Sequence, residues 1–380
     1  MEESKSVMEK SWNAIKNMNE DFAANIIFAM ILVVSILAIV YHFYLSGLLK
    51  RECSFMDSLY STKNVFIKPL NSSDPNCKYT FKDYYCKTAY NCCSGGDYKN
   101  DYVSTCNLIN VINQGCRALD FEIYSIGNDP IVATSTSDSD FVKETYNYVM
   151  FSDVMKVISD YAFPNTGTAD RKANDCLIIH LRIKSTNQTM LQNLADMFKN
   201  NYDNLFLGPE YSFENDGHNL GDVPILDLNG RIIVVVDKSC GTAFMENRDF
   251  YEYVNMTSSS MFMRALRYYD VINTPDLNEL QEYNKRNMTI AMPDKGISPD
   301  NPSGIVCRET GSQLVAMRYQ SFDVNLEENI AFFDKSGYSF VLKPEKLRYI
   351  PITIPTPPPQ NPALSYATRT ITSDYYKFDI

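Results

Sequence analysis

Two apolar runs of the sequence carry polar residues at alternate positions. One run contains Asp120 and Glu122, and another contains His180 and Arg182. Because side chains alternate between the two faces of a β-strand, each pair should lie on one face. Paired carboxylates suit acid–base chemistry, whereas Arg182 on a neighbouring strand would neutralise them in an internal ion pair. We favour the ion pair, because unpaired carboxylates are costly to bury.

Histidine, the usual acid–base residue, is scarce. The chain has only His42, His180 and His218. His42 lies in a long apolar segment and His218 in the loop-like stretch GHNLGD, whereas His180 shares a strand face with Arg182. A histidine on a core strand is more often a hydrogen-bonded structural residue than a catalytic one. We therefore expect a structural role for His180 and keep a role in a pocket as the alternative.

The charge of the chain argues against one class of partner. The formal net charge is −11, and no block of Lys and Arg stands out. Binding to nucleic acid requires a surplus of cationic side chains on one face to neutralise phosphates. We therefore predict no nucleic-acid partner.

Residues 22–49 contain no Asp, Glu, Lys or Arg. A bilayer core needs about 20 apolar residues in a helix, so this segment is long enough to span it. A cleaved signal peptide would have a shorter apolar core and would not follow an acidic stub such as residues 1–21. We predict a single transmembrane helix that makes the lipid bilayer a partner. The flanking lysines and arginines do not set its orientation.

Seven of the ten cysteines lie between Cys53 and Cys116. Their spacing does not match a zinc site, and dense cysteine without such spacing is typical of disulfides in an oxidising compartment. The alternative is a set of buried free thiols in a reducing compartment. Our disulfide candidates are Cys77, Cys86, Cys92, Cys93, Cys106 and Cys116.

The periodicity of the remaining chain favours strands that alternate with helices. Such alternation predicts a parallel sheet with helical crossovers, either open or closed into a barrel. The predicted strands are Ala118–Tyr124, Cys176–Ile183, Arg231–Val236, Gln313–Tyr319 and Tyr338–Leu342. The predicted helices are Phe151–Ala162, Met190–Asn200 and Met261–Asp270. The polar stretch 241–282 has no strong strand pattern and is predicted to be a linker between two halves.

The last segment, residues 351–380, is rich in proline at its start. Proline lacks a backbone donor and favours an extended arm over a helix or a central strand. The prolines that we expect to make contacts with a partner are Pro351, Pro355, Pro357, Pro358 and Pro359. After them, Leu364–Ile380 alternates apolar and aromatic residues, a pattern that suits a strand docked on a neighbouring protein.

Two blocks of sequence point to one family. The first is GCRALDFEIY, Gly115–Tyr124, with FSDVMKVISDYAF at Phe151–Phe163, and the second runs from YNKRNMTIAMPDKG, Tyr283–Gly296, to VLKPEKLR. Together they resemble the X and Y halves of eukaryotic phosphoinositide-specific phospholipase C. The resemblance implies a distorted TIM-like (β/α)8 barrel, with an X-like half at 50–240 and a Y-like half at 283–350. In such barrels the chemistry takes place at the C-terminal ends of the strands.

The resemblance also implies a calcium ion and two histidines, and the sequence departs from both. Tyr90 stands where the first histidine is expected, before a retained Asn91, and Thr134 stands at the second. Neither a phenol nor a hydroxyl exchanges protons at neutral pH as imidazole does. Asp120 and Glu122 match two metal ligands, but Arg182 replaces a third carboxylate, and its charge opposes a divalent cation. We therefore expect no catalytic residues, no calcium and no other cofactor.

The positions expected to grip the phosphates of the substrate have also changed. Val235 and Asp237 stand near the expected lysines, and Ile290–Met292 replaces an Arg-Ile-Tyr sequence. An anionic headgroup needs cationic donors, and these positions do not supply them.

From these departures we predict a membrane-anchored protein that is not an enzyme. Its expected role is structural, linking a membrane to a protein coat. A single X/Y cassette on a membrane anchor resembles the minor capsid-type membrane proteins of large DNA viruses. That resemblance implies capsid proteins as partners and a location in the inner membrane of a virion. One alternative is an active inositol-phospholipid phosphodiesterase that uses His180, Asp120 and Glu122. A second alternative is a non-catalytic module that binds lipid headgroups.

Overall fold

The computed structural model describes residues 20–60, 67–137, 141–163, 174–351, 357–359, 361, 364 and 366–380. The chain divides into two compact units, the first ending at Arg348 and the second comprising Tyr349–Ile380.

The first unit contains strands and helices in alternation. Its strands are β1 (Tyr84–Ala89), β2 (Ala118–Ile126), β3 (Asp129–Ala133), β4 (Val149–Met150), β5 (Leu177–Ile183), β6 (Ile232–Asp237), β7 (Met256–Ser258), β8 (Met263–Arg267), β9 (Met288–Met292), β10 (Leu314–Met317) and β11 (Phe340–Leu342). Its helices are α1 (Glu20–Tyr60), α2 (Thr105–Asn113), α3 (Phe151–Ala162), α4 (Gln188–Met197), α5 (Arg248–Glu252), α6 (Tyr268–Ile272), α7 (Leu277–Arg286), α8 (Gly304–Glu309) and α9 (Val324–Ser336). A short segment, Ser212–Asp216, is wound in the left-handed sense, with φ between 50° and 59° at residues 213–216.

Eight parallel strands form a nearly closed barrel. Their order is β7-β6-β5-β2-β1-β10-β9-β8, and the end strands β7 and β8 lie side by side. Strands β3, β4 and β11 are antiparallel additions outside this path. This architecture confirms the predicted TIM-like α/β barrel.

Alternation along the strands separates the interior of the barrel from its outer layer. On β2, Leu119 and Phe121 point outward and pack against apolar residues of the surrounding helices. Ala118 points inward and packs with the apolar residues in the interior of the barrel. Asp120 and Glu122 follow Ala118 on the inner face, toward the C-terminal end of the strand. The interior is therefore apolar at the N-terminal ends of the strands and polar at their C-terminal ends, which we call the mouth.

The structure confirms the five predicted strands as β2, β5, β6, β10 and β11, with small shifts in their ends. Helices Phe151–Ala162 and Met190–Asn200 are also present, the second ending as a π-helical turn. The predicted helix Met261–Asp270 is wrong, because Met263–Arg267 is strand β8. Its Met, Arg, Ala and Leu residues favour helix in isolation, but pairing with β9 from Met263↔Met288 to Arg267↔Met292 overrides that preference.

The stretch 241–282 also differs from the sequence-based expectation. It contains β7 and β8, which are the two end strands of the barrel sheet, and most of α7. These strands are only three and five residues long, so they leave no periodic signal of useful length. The polar stretch is thus part of the barrel wall.

Helix α1 extends well beyond the predicted span of residues 22–49. Its most apolar window has a mean hydropathy of 2.7, and none of that window is buried within the protein. A disulfide joins Cys53 on α1 to Cys106 on α2. The pairing differs from the candidate set, since Cys53 was outside it. Five of the candidates are buried unpaired thiols in the structure: Cys77, Cys86, Cys92, Cys93 and Cys116.

The second unit ends in a β-hairpin formed by β12 (Thr370–Thr372) and β13 (Lys377–Asp379). Its strands pair with each other. The predicted docking of this segment on a neighbouring protein stays a prediction. Pro351 and residues 357–359 are exposed. Pro355 lies outside the described residues.

Lys343, which follows β11, is a buried amine whose ionisation should affect stability. Burial lowers its pKa from 10.5 to about 7, with Asp83 opposing and Lys82 adding to that effect. Between pH 7 and pH 10.5, Lys343 is therefore protonated in the unfolded chain and mostly neutral in the folded chain. As the pH rises through this range, wild-type protein should gain stability relative to a Lys343→Met variant. Denaturant unfolding at several pH values measures this difference, and a difference that stays constant would contradict the expected pKa.

Candidate active site

The polar residues at the mouth converge on one side chain, Arg182. In the parallel register of β2 and β5, Asp120 lies opposite His180 and Glu122 lies opposite Arg182. Asn91 follows β1, whose neighbour in the sheet is β2. Asn91 has a left-handed backbone conformation, with a φ of 44°. The fold thus brings together five residues from three segments that are distant in sequence.

The guanidinium of Arg182 donates hydrogen bonds to three residues of this group. Nε and Nη2 donate to the two carboxylate oxygens of Asp120 at 3.0 and 2.7 Å. Nη1 donates to Glu122 Oε1 at 3.0 Å, and Nη2 also donates to Asn91 Oδ1 at 2.8 Å. Asp120 and Glu122 are fully buried, so the pairing compensates for charges that water does not reach. The internal ion pair predicted from the sequence is present.

Tyr90 and Thr134 stand at the positions where histidines were expected, and Tyr90 lies against this cluster. The ring of Tyr90 covers the guanidinium of Arg182 at 4.5 Å, and Arg267 Nη1 donates to the Tyr90 hydroxyl at 3.1 Å. Burial raises the pKa of Tyr90, against the opposing influence of the two arginines. Thr134 donates to the Tyr98 carbonyl at 3.0 Å. Neither side chain is therefore positioned as a proton carrier at neutral pH.

His180 is held between two side chains of the barrel interior. Its Nδ1 is 2.7 Å from Asp120 Oδ1, and its Nε2 is 2.8 Å from the hydroxyl of Ser258 at the end of β7. Since a carboxylate only accepts, Nδ1 carries the proton that faces Asp120. In the neutral imidazole Nε2 accepts from the Ser258 hydroxyl, and in the imidazolium it donates to it. An imidazole oriented by a carboxylate in this way is a common arrangement of a general base.

A second cation, Lys184, neutralises the remaining carboxylate charge. Its Nζ lies 3.2 Å from Glu122 Oε2 and donates to the hydroxyl of Ser135 at 2.8 Å. Tyr124 also donates to Glu122, at 2.6 Å. Two carboxylates thus face two cations, which leaves the cluster close to neutral when His180 is neutral.

The ion pairs reinforce the charged state of the cluster. Burial alone would raise the pKa of Asp120, but Arg182 and the hydrogen bond from His180 hold it well below its usual range. Burial alone would lower the pKa of Arg182, but Asp120, Tyr90 and Glu122 raise it well above its ordinary value. Both groups therefore stay ionised across the physiological pH range.

A calcium ion does not fit these residues. The oxygens of Asn91, Asp120 and Glu122 that match family ligands already accept hydrogen bonds from Arg182. A divalent cation among them would sit next to a guanidinium that cannot be deprotonated. Among the residues that the structure describes, no group of three or more His, Cys, Asp or Glu side chains is arranged to hold a metal.

Lys184, Ser258 and Arg267 were not predicted from the sequence to belong to the site. Lys184 directly follows β5 and lies two positions after Arg182, which itself lies two positions after His180. The alternation of side chains along a strand could therefore have placed Lys184 on the same inner face. Ser258 lies on a three-residue strand within the stretch taken for a linker. Arg267 lies on the strand that was predicted to be a helix. The last two could not be placed before the barrel was known.

Models of two protein domains match the chain. A model of the phosphatidylinositol-specific phospholipase C X domain matches residues 77–238, and a model of the Y domain matches residues 236–346. Together they account for more than half of the chain. The chain belongs to the phosphatidylinositol-specific phospholipase C family. The membership agrees with the family resemblance in the sequence.

Two solved structures of phospholipases C are similar to this member of the family. PLC21 of S. officinalis is 20% identical with a TM-score of 0.58, and the match covers 72% of this chain and 38% of that one. PLC21 of L. pealei is 19% identical with a TM-score of 0.59, and the match covers 74% and 40%. The chain thus spans about two fifths of the length of these proteins. At these identities the likeness shows the fold. None of the curated protein sequences matches the chain.

The prediction that the protein is not an enzyme is wrong. Both halves match models of an enzyme family, and the barrel has the fold of two phospholipases C. The prediction treated the replacement of histidine at Tyr90 and Thr134 as a loss of acid–base chemistry. It gave too little weight to His180, which the fold pairs with Asp120 in the same interior.

Arg182 should contribute far more to stability than an arginine in a surface ion pair. An Arg182→Met variant leaves two buried carboxylates without their main partner and should lose about 3–5 kcal/mol of unfolding free energy. The matched control is Arg264→Met, since Arg264 pairs with Glu279 at a partly exposed site. That variant should lose about 0–1 kcal/mol. Denaturant unfolding of the full chain in detergent compares the two, and equal losses would contradict the role of Arg182.

Proposed function

We propose that this protein is a membrane-anchored phosphodiesterase that cleaves inositol phospholipids without calcium. The observation that carries the proposal is the guanidinium of Arg182, bound by Asp120, Glu122 and Asn91 at the mouth of a phospholipase C barrel. A fixed positive charge in a site shielded from water can stabilise the negative charge that develops on a phosphate. Arg182 would thus supply the electrostatic contribution that calcium makes in the family.

His180 supplies the proton transfer in this proposal. The hydroxyl of the inositol ring next to the phosphate attacks phosphorus, and the bond from phosphorus to the glycerol oxygen breaks. The proton leaves the attacking hydroxyl for His180 Nε2 and passes to the departing glycerol oxygen, so the imidazole is unchanged at the end. Asp120 holds the ring in the required orientation and stabilises its transient positive charge. The products are a cyclic inositol phosphate and diacylglycerol.

Access to the site requires Tyr90 to move in the proposed reaction. Its ring lies on Arg182, and Arg267 holds its hydroxyl. The hydrogen bond from the charged Arg267 contributes about 1.5–3 kcal/mol, and the guanidinium of Arg267 also lies 5.9 Å from the centre of the Tyr90 ring. Displacement of Tyr90 by an anionic phosphate is therefore energetically accessible, because the phosphate gains contact with Arg182 in its place.

The substrate that suits this site best carries no phosphate groups on its inositol ring. Asp237 lies at the end of β6, near one of the positions where the family has lysine, and it is buried. Burial raises the pKa of Asp237, but His180 and the hydrogen bonds from Ser239 hold it below its usual value. An ionised carboxylate at this place repels a ring phosphate.

The lipid bilayer is the proposed partner of α1. The helix is long and apolar enough to cross a membrane, and its apolar window is exposed. An anchor of this kind keeps the barrel next to its lipid substrate. The disulfide between Cys53 and Cys106 supports a barrel on an oxidising side of that membrane. A coat-protein partner and a virion location stay predictions of the sequence.

The proposed activity is measured by the release of water-soluble inositol phosphate from phosphatidylinositol in mixed detergent micelles. Turnover by the full chain should be the same in calcium and in a chelator. A His180→Gln variant should lose turnover by about 10²–10⁴-fold, the usual size of a general acid–base contribution. The matched control is His218→Gln, because His218 is exposed and distant in sequence from the cluster. No turnover, turnover only with calcium, or equal rates for the two variants would refute the proposal.

Substrate preference tests the role of Asp237 separately. Phosphatidylinositol should be cleaved faster than phosphatidylinositol 4,5-bisphosphate in the same micelles. The physical reason is the carboxylate at a position where a ring phosphate needs a cation. A preference for the bisphosphate would show that another part of the mouth binds ring phosphates.

A further inference from the structure

The second half of α1 packs along the barrel in register with α2. Cys53 is joined to Cys106, and one turn later Asp57 Oδ1 accepts a hydrogen bond from Asn110 at 2.7 Å. Each step of four residues along α1 thus matches a step of four residues along α2. The two helices run in the same direction.

The direction of α2 gives the direction of α1 relative to the mouth. Helix α2 follows the C-terminal end of β1 and precedes the N-terminal start of β2, so it runs from the mouth towards the opposite end of the barrel. Because α1 runs the same way, its residues before Cys53 project beyond the mouth. The apolar residues 22–49 are among them.

Contacts on the mouth side agree with this direction. The hydroxyl of Tyr41 lies 3.5 Å from that of Tyr146, and the ring of Tyr146 lies 5.3 Å from that of Tyr102, just before α2. At 1.5 Å per residue, Tyr41 is about 18 Å further along the helix than Cys53. The loops at the mouth therefore reach as far as the apolar part of α1.

The same loops expose apolar and aromatic side chains. Tyr269, Ile297 and Val324 follow parallel strands of the barrel at their mouth ends, and all three are exposed. Val142 and Tyr148 are exposed in the segment between β3 and β4, which reaches the mouth through Ser135 and Tyr146. Val324 is 80% exposed. Apolar side chains are also exposed elsewhere, as Met261 before β8 is, but a group of them around one opening is typical of a surface that meets a membrane or a protein. The apolar part of α1 extends from this same end, which favours a membrane as the partner of this surface.

We infer that the mouth of the barrel faces the bilayer that the protein's own helix spans, and that its lipid substrate comes from that same bilayer. The inference rests on the proposed function in one respect, because it takes α1 to cross a membrane. The disulfide stabilises this orientation, since it ties α1 to the start of α2 at the mouth. The protein would thus act on the leaflet beneath it, and lipids in other membranes would be poor substrates.

Quenching of a single tryptophan by spin-labelled headgroups tests the orientation without any need for turnover. The parent is Trp12→Phe, which removes the one tryptophan of the chain. Ile297→Trp then places a reporter at the mouth, and Asp227→Trp places one before β6 at the opposite end, both at exposed positions. The full chain is inserted into phosphatidylcholine vesicles that contain the quencher lipid. Quenching should be severalfold stronger for Ile297→Trp than for Asp227→Trp.

Each outcome decides one part of the account. Equal quenching, or stronger quenching of Asp227→Trp, overturns the orientation, while turnover in micelles would still support the proposed function. Failure of the chain to float with the vesicles overturns the membrane anchor and the orientation together. In a variant with Cys53→Ser and Cys106→Ser, the difference between the two reporters should shrink. An unchanged difference would show that the disulfide does not hold the orientation.

Discussion

The site depends on one buried ionic interaction, that of Arg182 with Asp120 and Glu122. Two carboxylates in an interior closed to water need compensating charge, and the bidentate guanidinium supplies it with directed hydrogen bonds. The neighbouring residues are arranged by the same requirement. Asn91 accepts the remaining Nη2 bond, Tyr90 covers the planar face, and Lys184 compensates for the second charge of the pair. The barrel places all of these groups at the ends of strands, above an apolar interior.

This interaction also determines which chemistry the site can support. In the proposed function, Arg182 supplies a permanent positive charge at the place where the family resemblance implies a calcium ion. A positive charge that is fixed in position costs no reorganisation when negative charge develops on a bound phosphate. His180 shares Asp120 with Arg182, so the proposed base and the cation are oriented by a single carboxylate. Any change to Asp120 therefore affects both functions at once.

The sequence predicted which residues meet in the cluster better than it predicted their surroundings. The alternation of Asp120 with Glu122, and of His180 with Arg182, indicated shared strand faces, and the barrel family indicated neighbouring strands. Strands β7 and β8 could not be predicted, because they are short and contain residues that favour helix or loop in isolation. Ser258 and Arg267 were missed with them. The partner of Cys106 was missed for a different reason, since only the docking of α1 along α2 brings Cys53 close to it.

The central claim is that Arg182 takes the place of calcium, and calcium-dependent stability tests it most directly. The measurement is the thermal unfolding midpoint of the full-length protein in detergent, in excess calcium and in excess chelator. A ligand that binds only the native state must raise the midpoint as its concentration rises. If Arg182 occupies the expected calcium site, calcium does not bind there and the two midpoints should coincide. A midpoint that rises with calcium concentration would contradict the account.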